Sequence, residues 1–223
     1  MKKELENYFK ANTEATYKKK DGKLCLVSAD EEIRIKTAKI QFEKAPIPIA
    51  TIISYVNEFL NMLSGNEFFN KPRLECIKID GSYHSIIDRA IIINGCNWQS
   101  PVYDKRKKRY TFWDDKYDII QKRFDLKSPQ DIVWIKFTED GYLGVVADSF
   151  DINYKYDNSS GKLIRVKDSS KKWNESCVVV FPLTKDLLNI KSRKEIETAV
   201  GNYLLEAKGV PIIDYFSHNN FLY

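Results

Sequence analysis

Between Asp104 and Lys116 the chain runs Asp-Lys-Arg-Lys-Lys-Arg-Tyr-Thr-Phe-Trp-Asp-Asp-Lys. A carboxylate, a later carboxylate pair and a lysine are the groups with which a metal-dependent nuclease holds Mg²⁺ or Mn²⁺ and a water against a phosphodiester. Strand geometry pulls these groups apart. If residues 101–104 and 109–113 pair across a four-residue loop, Asp104 stands opposite Arg109, and Asp114 lies about 17 Å further along at roughly 3.3 Å per residue. Carboxylates sharing one hard cation each bring an oxygen to within about 2.0 to 2.6 Å of it. A phosphodiesterase site therefore needs Asp80 or Asp88 to join Asp114, Asp115 and Lys116. Otherwise Asp114, Asp115 and Lys116 are expected to open a short helix, where acidic residues suit the N-terminal end. Lys105, Arg106, Lys107 and Lys108, with Arg109 at their base, then form a basic hairpin loop offered to a partner.

The remaining residues that could do chemistry are sparse. His84 and His218 each lie within four residues of an aspartate, and a histidine beside a carboxylate can move protons. If the chain crosses over near its C-terminus, Thr184, Asp214, Ser217 and His218 would gather at the ends of parallel strands, where such sheets offer a crevice. A Ser-His-Asn-Asn run near the chain end is more often a turn or a helix cap, and that reading is the stronger one. Neither GxGxxG nor GxxxxGK[ST] occurs, and Gly141-Tyr142-Leu143-Gly144 is too thin in glycine to cradle a phosphate. Asp80-Gly81-Ser82 reads as a hairpin turn, because Lys78 stands where a phosphatase loop would need its nucleophilic aspartate. Glu195 and Glu197 have the spacing of paired catalytic glutamates, yet Ser192 and Glu195 together fit a helix capping box.

Charge is unevenly spread. Residues 101–127 and 162–172 are both strongly basic, and the rest of the chain is net negative although the whole carries +5. Lys171 and Lys172 close the second basic segment and join Lys105 to Arg109 as candidate binding residues. Tyr103, Tyr110, Phe112, Trp113 and Tyr117 bracket the first, as a single-stranded nucleic-acid platform would show. Any hairpin with one buried face shows the same alternation. The 28 lysines far outnumber the eight arginines, and arginine is the residue whose planar fork reads bases and phosphates bidentately. Cys25, Cys76, Cys96 and Cys177 form no CxxC pair and have no histidines beside them, which argues against a zinc finger or disulfide framework. The first twenty residues are charged and hold no apolar run of the length a signal peptide needs, and nowhere do about 18 apolar residues follow one another. A cytoplasmic protein, or one carried within an assembly built there, without a membrane role, is the expectation.

The elements that must position these groups follow from periodicity. A short helix is expected around residues 4–10, then two strands, GKLCLVS and IRIKTAKIQF, around the acidic turn 29–32. Ile49, Ile52, Ile53, Val56, Phe59, Leu60 and Leu63 have the spacing of a one-sided helix over about 48–64, with Pro48 at its start and Gly65 past its end. Two-residue alternation and turn residues then mark an antiparallel meander: LECIKI, SIIDRAIII, PVYD, RYTFW, DIVWIKF, YLGVVA, FDINYKY, KLIRV and CVVVF, with a short helix near 117–124. A second main helix is expected over about 193–208, buried along Ile196, Ala199, Val200, Tyr203, Leu204 and Ala207. VPIIDYF follows as a strand that would lie parallel to CVVVF in a C-terminal βαβ unit. The fold class is α+β, a single domain over 1–223 with a mostly antiparallel twisted sheet and two main packed helices.

This pattern favours a non-enzymatic interaction or assembly protein, suited to a mobile element or a virion, with basic hairpin loops and the C-terminus as contact surfaces. Its partners would be other proteins, copies of itself, or nucleic acid. The alternative is the Mg²⁺- or Mn²⁺-dependent phosphodiesterase built on Asp80 or Asp88 with Asp114, Asp115 and Lys116.

Overall fold

The computed structural model describes residues 3–10, 17–20, 23–26, 31–65, 74–79, 82–94, 102–104, 109–111, 122, 125–127, 129–150 and 163–214. In chain order the elements are α1 (Lys3–Glu6, running into a 3-10 turn, Asn7–Phe9), β1 (Tyr17–Lys20), β2 (Lys23–Leu26), α2 (Glu31–Phe42) and α3 (Ile49–Ser64). Strands β3 (Leu74–Ile79), β4 (Ser82–Ile87), β5 (Ala90–Asn94), β6 (Val102–Asp104), β7 (Arg109–Thr111), β8 (Ile132–Thr138), β9 (Leu143–Ser149) and β10 (Trp173–Pro182) follow. The chain then forms α4 (Lys185–Leu188) and α5 (Arg193–Asn202), which continues as a π-helical turn, Tyr203–Ala207.

Six strands make the main sheet in the order β3-β4-β5-β10-β8-β9, antiparallel at every step. Together with the helices this is the expected α+β architecture. The central strand β10 is apolar without alternation because it is covered on both faces: Val179 and Phe181 are as fully buried as Val178 and Val180. Val179 and Phe181 share one core cluster with Val133, Ile135 and Phe137 of β8 and with the apolar faces of α3 and α5. On the opposite face of the sheet Ile91, Ile93, Ile132 and Trp134 are buried as well.

Both main helices form where the spacing places them. In α3 the buried set Ile52, Ile53, Val56, Phe59, Leu60 and Leu63 is one stripe, and Gly65 (φ 75°) takes the left-handed conformation that ends the helix. In α5 the capping box is present: Glu195 N–H donates to Ser192 Oγ, and the Glu195 carboxylate accepts from Ser192 N–H. The π turn after Asn202 inserts a residue into the helical register, so Ala207 is exposed where a continuous α-helix would bury it. Tyr8, Phe9, Phe59 and Tyr203 meet edge-on or tilted and tie the N-terminal turn to both helices. Asn202 fixes it further by donating to the carbonyls of Tyr8 and Lys10.

Four local expectations are corrected. Residues 31–42 form helix α2 and not a strand, because Ile35, Ala38 and Phe42 are the residues that pack, against Tyr142, Leu163 and Ile213, and they are spaced for a helix. SIIDRAIII is two strands rather than one: the chain reverses at Asp88-Arg89, and Ile87 pairs with Ala90. KLIRV contributes a helical turn in which Val166 N–H returns to the Leu163 carbonyl, burying both Leu163 and Ile164. The C-terminal segment runs in the direction of β10 but joins the far edge of the sheet, where Ile212 bridges Leu143 of β9 in parallel. Residues 151–156 of FDINYKY, the 117–124 helix apart from Lys122, and 215–223 lie outside the described residues.

Candidate functional site

The reversal at Asp88-Arg89 presents two charged residues to the polar stripe of α3. Asp88 adopts φ 54°, a left-handed conformation that aspartate tolerates better than most residues. Asn57, Asn61 and Ser64 recur at helical spacing beside the apolar stripe and clamp the turn. Asn57 Nδ2 donates to the Ile87 carbonyl (2.8 Å) and its Oδ1 accepts from Arg89 N–H (3.2 Å). Asn61 Nδ2 donates to Asp88 Oδ2 (2.6 Å), and its Oδ1 accepts from Arg89 Nε (2.7 Å). The guanidinium also donates to Ser64 Oγ from Nη2 (2.9 Å) and to Thr184 Oγ1 from Nη1 (3.2 Å). Asp186 Oδ2 is 3.6 Å from Nη2, and the Thr184 hydroxyl donates to the other Asp186 oxygen. Burial acts to raise the Asp186 pKa, but the Thr184 hydrogen bond and the Arg89 charge outweigh it and hold the carboxyl below its usual range.

This node forms one wall of a cavity of about 320 Å³. Asp125 and Lys127 line the opposite wall, with Thr184 and Lys185 at the exit of β10 and an apolar lining of Ile91, Leu126 and Leu183. Gln130 fixes this wall: its Oε1 accepts from Lys127 N–H (3.1 Å) and its Nε2 donates to the carbonyls of Asp131 (3.0 Å) and Leu183 (3.1 Å). Asp125 also has positive φ, 51°, so both non-glycine residues found in this conformation among those described line the same cavity.

Asp88 is thus the one residue of the expected phosphodiesterase set that is described, and Asn61 is the hydrogen-bond partner of its carboxylate. Asp80, Asp114, Asp115 and Lys116 lie outside the described residues, as do Lys105, Arg106, Lys107 and Lys108. Among the described residues no three histidine, cysteine or carboxylate groups gather as a metal site would need. Arg109 opens β7 and stands opposite Asp104 of β6, the register that the hairpin reading requires.

The second basic segment is folded onto the body. Lys171 Nζ pairs with Asp140 Oδ2 at 2.5 Å, and the Lys172 carbonyl accepts from Glu139 N–H while its side chain is exposed. Lys167 donates to the Phe42 carbonyl and lies over the Phe42 and Tyr142 rings. His84 sits in β4 opposite Ile77, and Ser217 and His218 lie outside the described residues. Thr184 and Asp214 do not gather. Thr184 lies two residues beyond Pro182, which pairs with Ile132 at the start of β8, whereas Asp214 hydrogen-bonds to Gly144 of β9, beside the opposite end of β8, and pairs with Arg34 at 2.8 Å.

Arg89, Asp125, Lys127 and Lys185 were not singled out from the sequence. The signal that could have found Arg89 is the polar spacing of Asn57, Asn61 and Ser64 on an otherwise apolar helix, which requires a polar partner across the interface. The chain matches no protein-family model, no curated protein and no solved structure.

Proposed function

We propose that the protein works by contact, as an interaction or assembly component that meets an anionic partner through its basic hairpins. One observation carries the reading. Strands β1 and β2, and separately β6 and β7, form two-stranded sheets that share no pairing with the six-stranded sheet among the described residues. In sequence these are also basic hairpins: Lys18, Lys19, Lys20 and Lys23 belong to the first, and Lys105 to Arg109 join or open the strands of the second. Basic β-ribbons of this form are used against nucleic acid, and local positive potential serves equally against an acidic protein surface. The body supporting them is extensively packed, and Asp88 within it is committed to holding a turn. No helix among the described residues is long and apolar enough to cross a membrane.

The test is sedimentation with and without nucleic acid, on the protein and on a variant with Lys105, Lys107 and Lys108 changed to Gln and Arg106 to Gln. Binding should be steeply salt-dependent, with log K falling by about 0.9 per phosphate contacted for each unit of log salt, and the variant should show a shallower slope. A defined homo-oligomer without nucleic acid would favour the self-assembly form of the proposal. Cleavage of nucleic acid on addition of Mg²⁺ or Mn²⁺, abolished by Asp88→Asn, would replace it with the phosphodiesterase.

A further inference from the structure

We propose that residues 3–10 are an exchangeable arm, and that in the assembled protein the groove between α3 and α5 takes the arm of a second copy. This rests on the self-assembly form of the function proposed above and names its partner. The arm cannot hold its own shape: a four-residue helix and one 3-10 turn fall well short of the roughly 12 to 15 residues at which an isolated helix becomes even marginal in water. The groove imposes that shape. Leu5, Tyr8 and Phe9 stand at i, i+3 and i+4, the spacing by which a helical segment sets its anchors into an apolar groove. Leu5 is buried, both rings pack on Phe59 of α3, and Tyr8 also meets Tyr203 of the π turn. Asn202, only 3% exposed, spends both Nδ2 hydrogens on the arm's main chain, at the carbonyls of Tyr8 (2.8 Å) and Lys10 (3.1 Å). Lys191 Nζ lies over the Phe9 ring, 5.4 Å from its centroid.

The groove thereby specifies its occupant, a segment with these anchors and these two carbonyls, and every copy of the chain carries one. Emptied, it would uncover apolar surface of Phe59 and Tyr203 and take both acceptors from the Asn202 amide, so it is stabilised by any copy's arm. Beyond the arm the chain enters β1 and β2, which pair only with each other among the described residues. No sheet hydrogen bond among them ties the arm to its own body. Residues 11–16 and 27–30 flank that hairpin and reach at most about 33 to 36 Å when extended, the width of a small domain. That length allows the arm to cross into the groove of a touching copy. Exchange replaces each arm contact by an identical one, so the contacts themselves favour neither arrangement and the concentration of copies shifts the balance.

The experiment mixes equal amounts of ordinary and isotopically heavy full chain without nucleic acid, lets them equilibrate, and joins lysines with a short amine-reactive cross-linker. Lys10 of the arm and Lys191 beside Phe9 are the reporting pair. Links between a heavy Lys10 peptide and an ordinary Lys191 peptide are the expected result, with a native mass by sedimentation above that of the monomer. Asn202→Ala should weaken self-association at least about tenfold. Tyr8→Ala/Phe9→Ala, which leaves the groove itself unaltered, should do the same and keeps the test open where Asn202→Ala fails to fold. The variant with residues 105–108 neutralised should self-associate as the parent does. A defined oligomer whose Lys10–Lys191 links join only peptides of one isotope, or one that both variants leave intact, overturns arm exchange while self-assembly stands. A monomer at every concentration overturns both.

Discussion

Replacing Gly144 by alanine should destabilise the fold through one identifiable collision. Gly144 in β9 lies against the indole of Trp173 at the start of β10. A Cβ added there would overlap Trp173 Cζ3 and stand 2.6 Å from Cη2 and 3.2 Å from Cε3. The ring cannot swing away cheaply: it is 5% exposed, and Lys136 Nζ lies 5.0 Å from its centroid. Nor can β9 shift freely, because the Gly144 carbonyl accepts from Asp214 N–H and Leu143 bridges Ile212. Overpacking of this kind costs about 3 kcal/mol. For a chain of this size that lowers Tm by about 6 to 12 °C. Urea unfolding of the parent, Gly144→Ala, Trp173→Leu and the double variant closes a thermodynamic cycle. If the collision is the cause, the alanine should cost less than about 1 kcal/mol once the indole is gone, a coupling of at least about 2 kcal/mol. Equal costs in both backgrounds would refute the reasoning and place the effect in the backbone of Gly144 itself.

Two further outcomes follow from buried and paired ionisable groups. Burial pushes the Cys177 thiol up from 9.0 to about 11, so at pH 8 it should resist iodoacetamide in the native protein and react once denaturant is added, as peptide mapping would show; rapid native labelling would mean that β10 opens locally. For Asp140, burial acts upward, but hydrogen bonds from Lys171 and Thr138 prevail and lower its pKa from the ordinary 3.8. A depressed folded-state pKa contributes stability above the unfolded value that disappears as pH falls through the folded one. Asp140→Asn should therefore be less stable than the parent at pH 7, with the gap closing as pH drops below 3.8; a gap unchanged at pH 2, measured by urea titration, would contradict the pairing.

Much of the framework could be read directly from the chain. The α3 stripe, the Ser192-Glu195 cap, Asp104 facing Arg109 and the doubly buried CVVVF are patterns whose local period or turn chemistry matches their tertiary setting. The candidate site was less visible. Asp88-Arg89 interrupts an apolar run without the Asn-Gly or Asp-Gly signature of a tight hairpin, so its reversal depends on the asparagines of α3, 27 to 32 residues away in sequence. Helix α2 was hidden in the same way, since Ile33 and Ile35 alternate like a strand while the packing face runs through Ile35, Ala38 and Phe42.

The sequence by itself determined the α+β class, the two main helices, the antiparallel pairing and the placement of positive charge, because periodicity and turn residues act over a few neighbours. Only the tertiary structure decided which charges are absorbed and which come together. Lys171 is drawn onto Asp140, Asp88 onto Asn61, and Arg89 is brought beside Lys127 and Lys185 at a single cavity. Those outcomes rest on long-range hydrogen bonds and on burial, which set where a charged side chain can be satisfied and which no local pattern records.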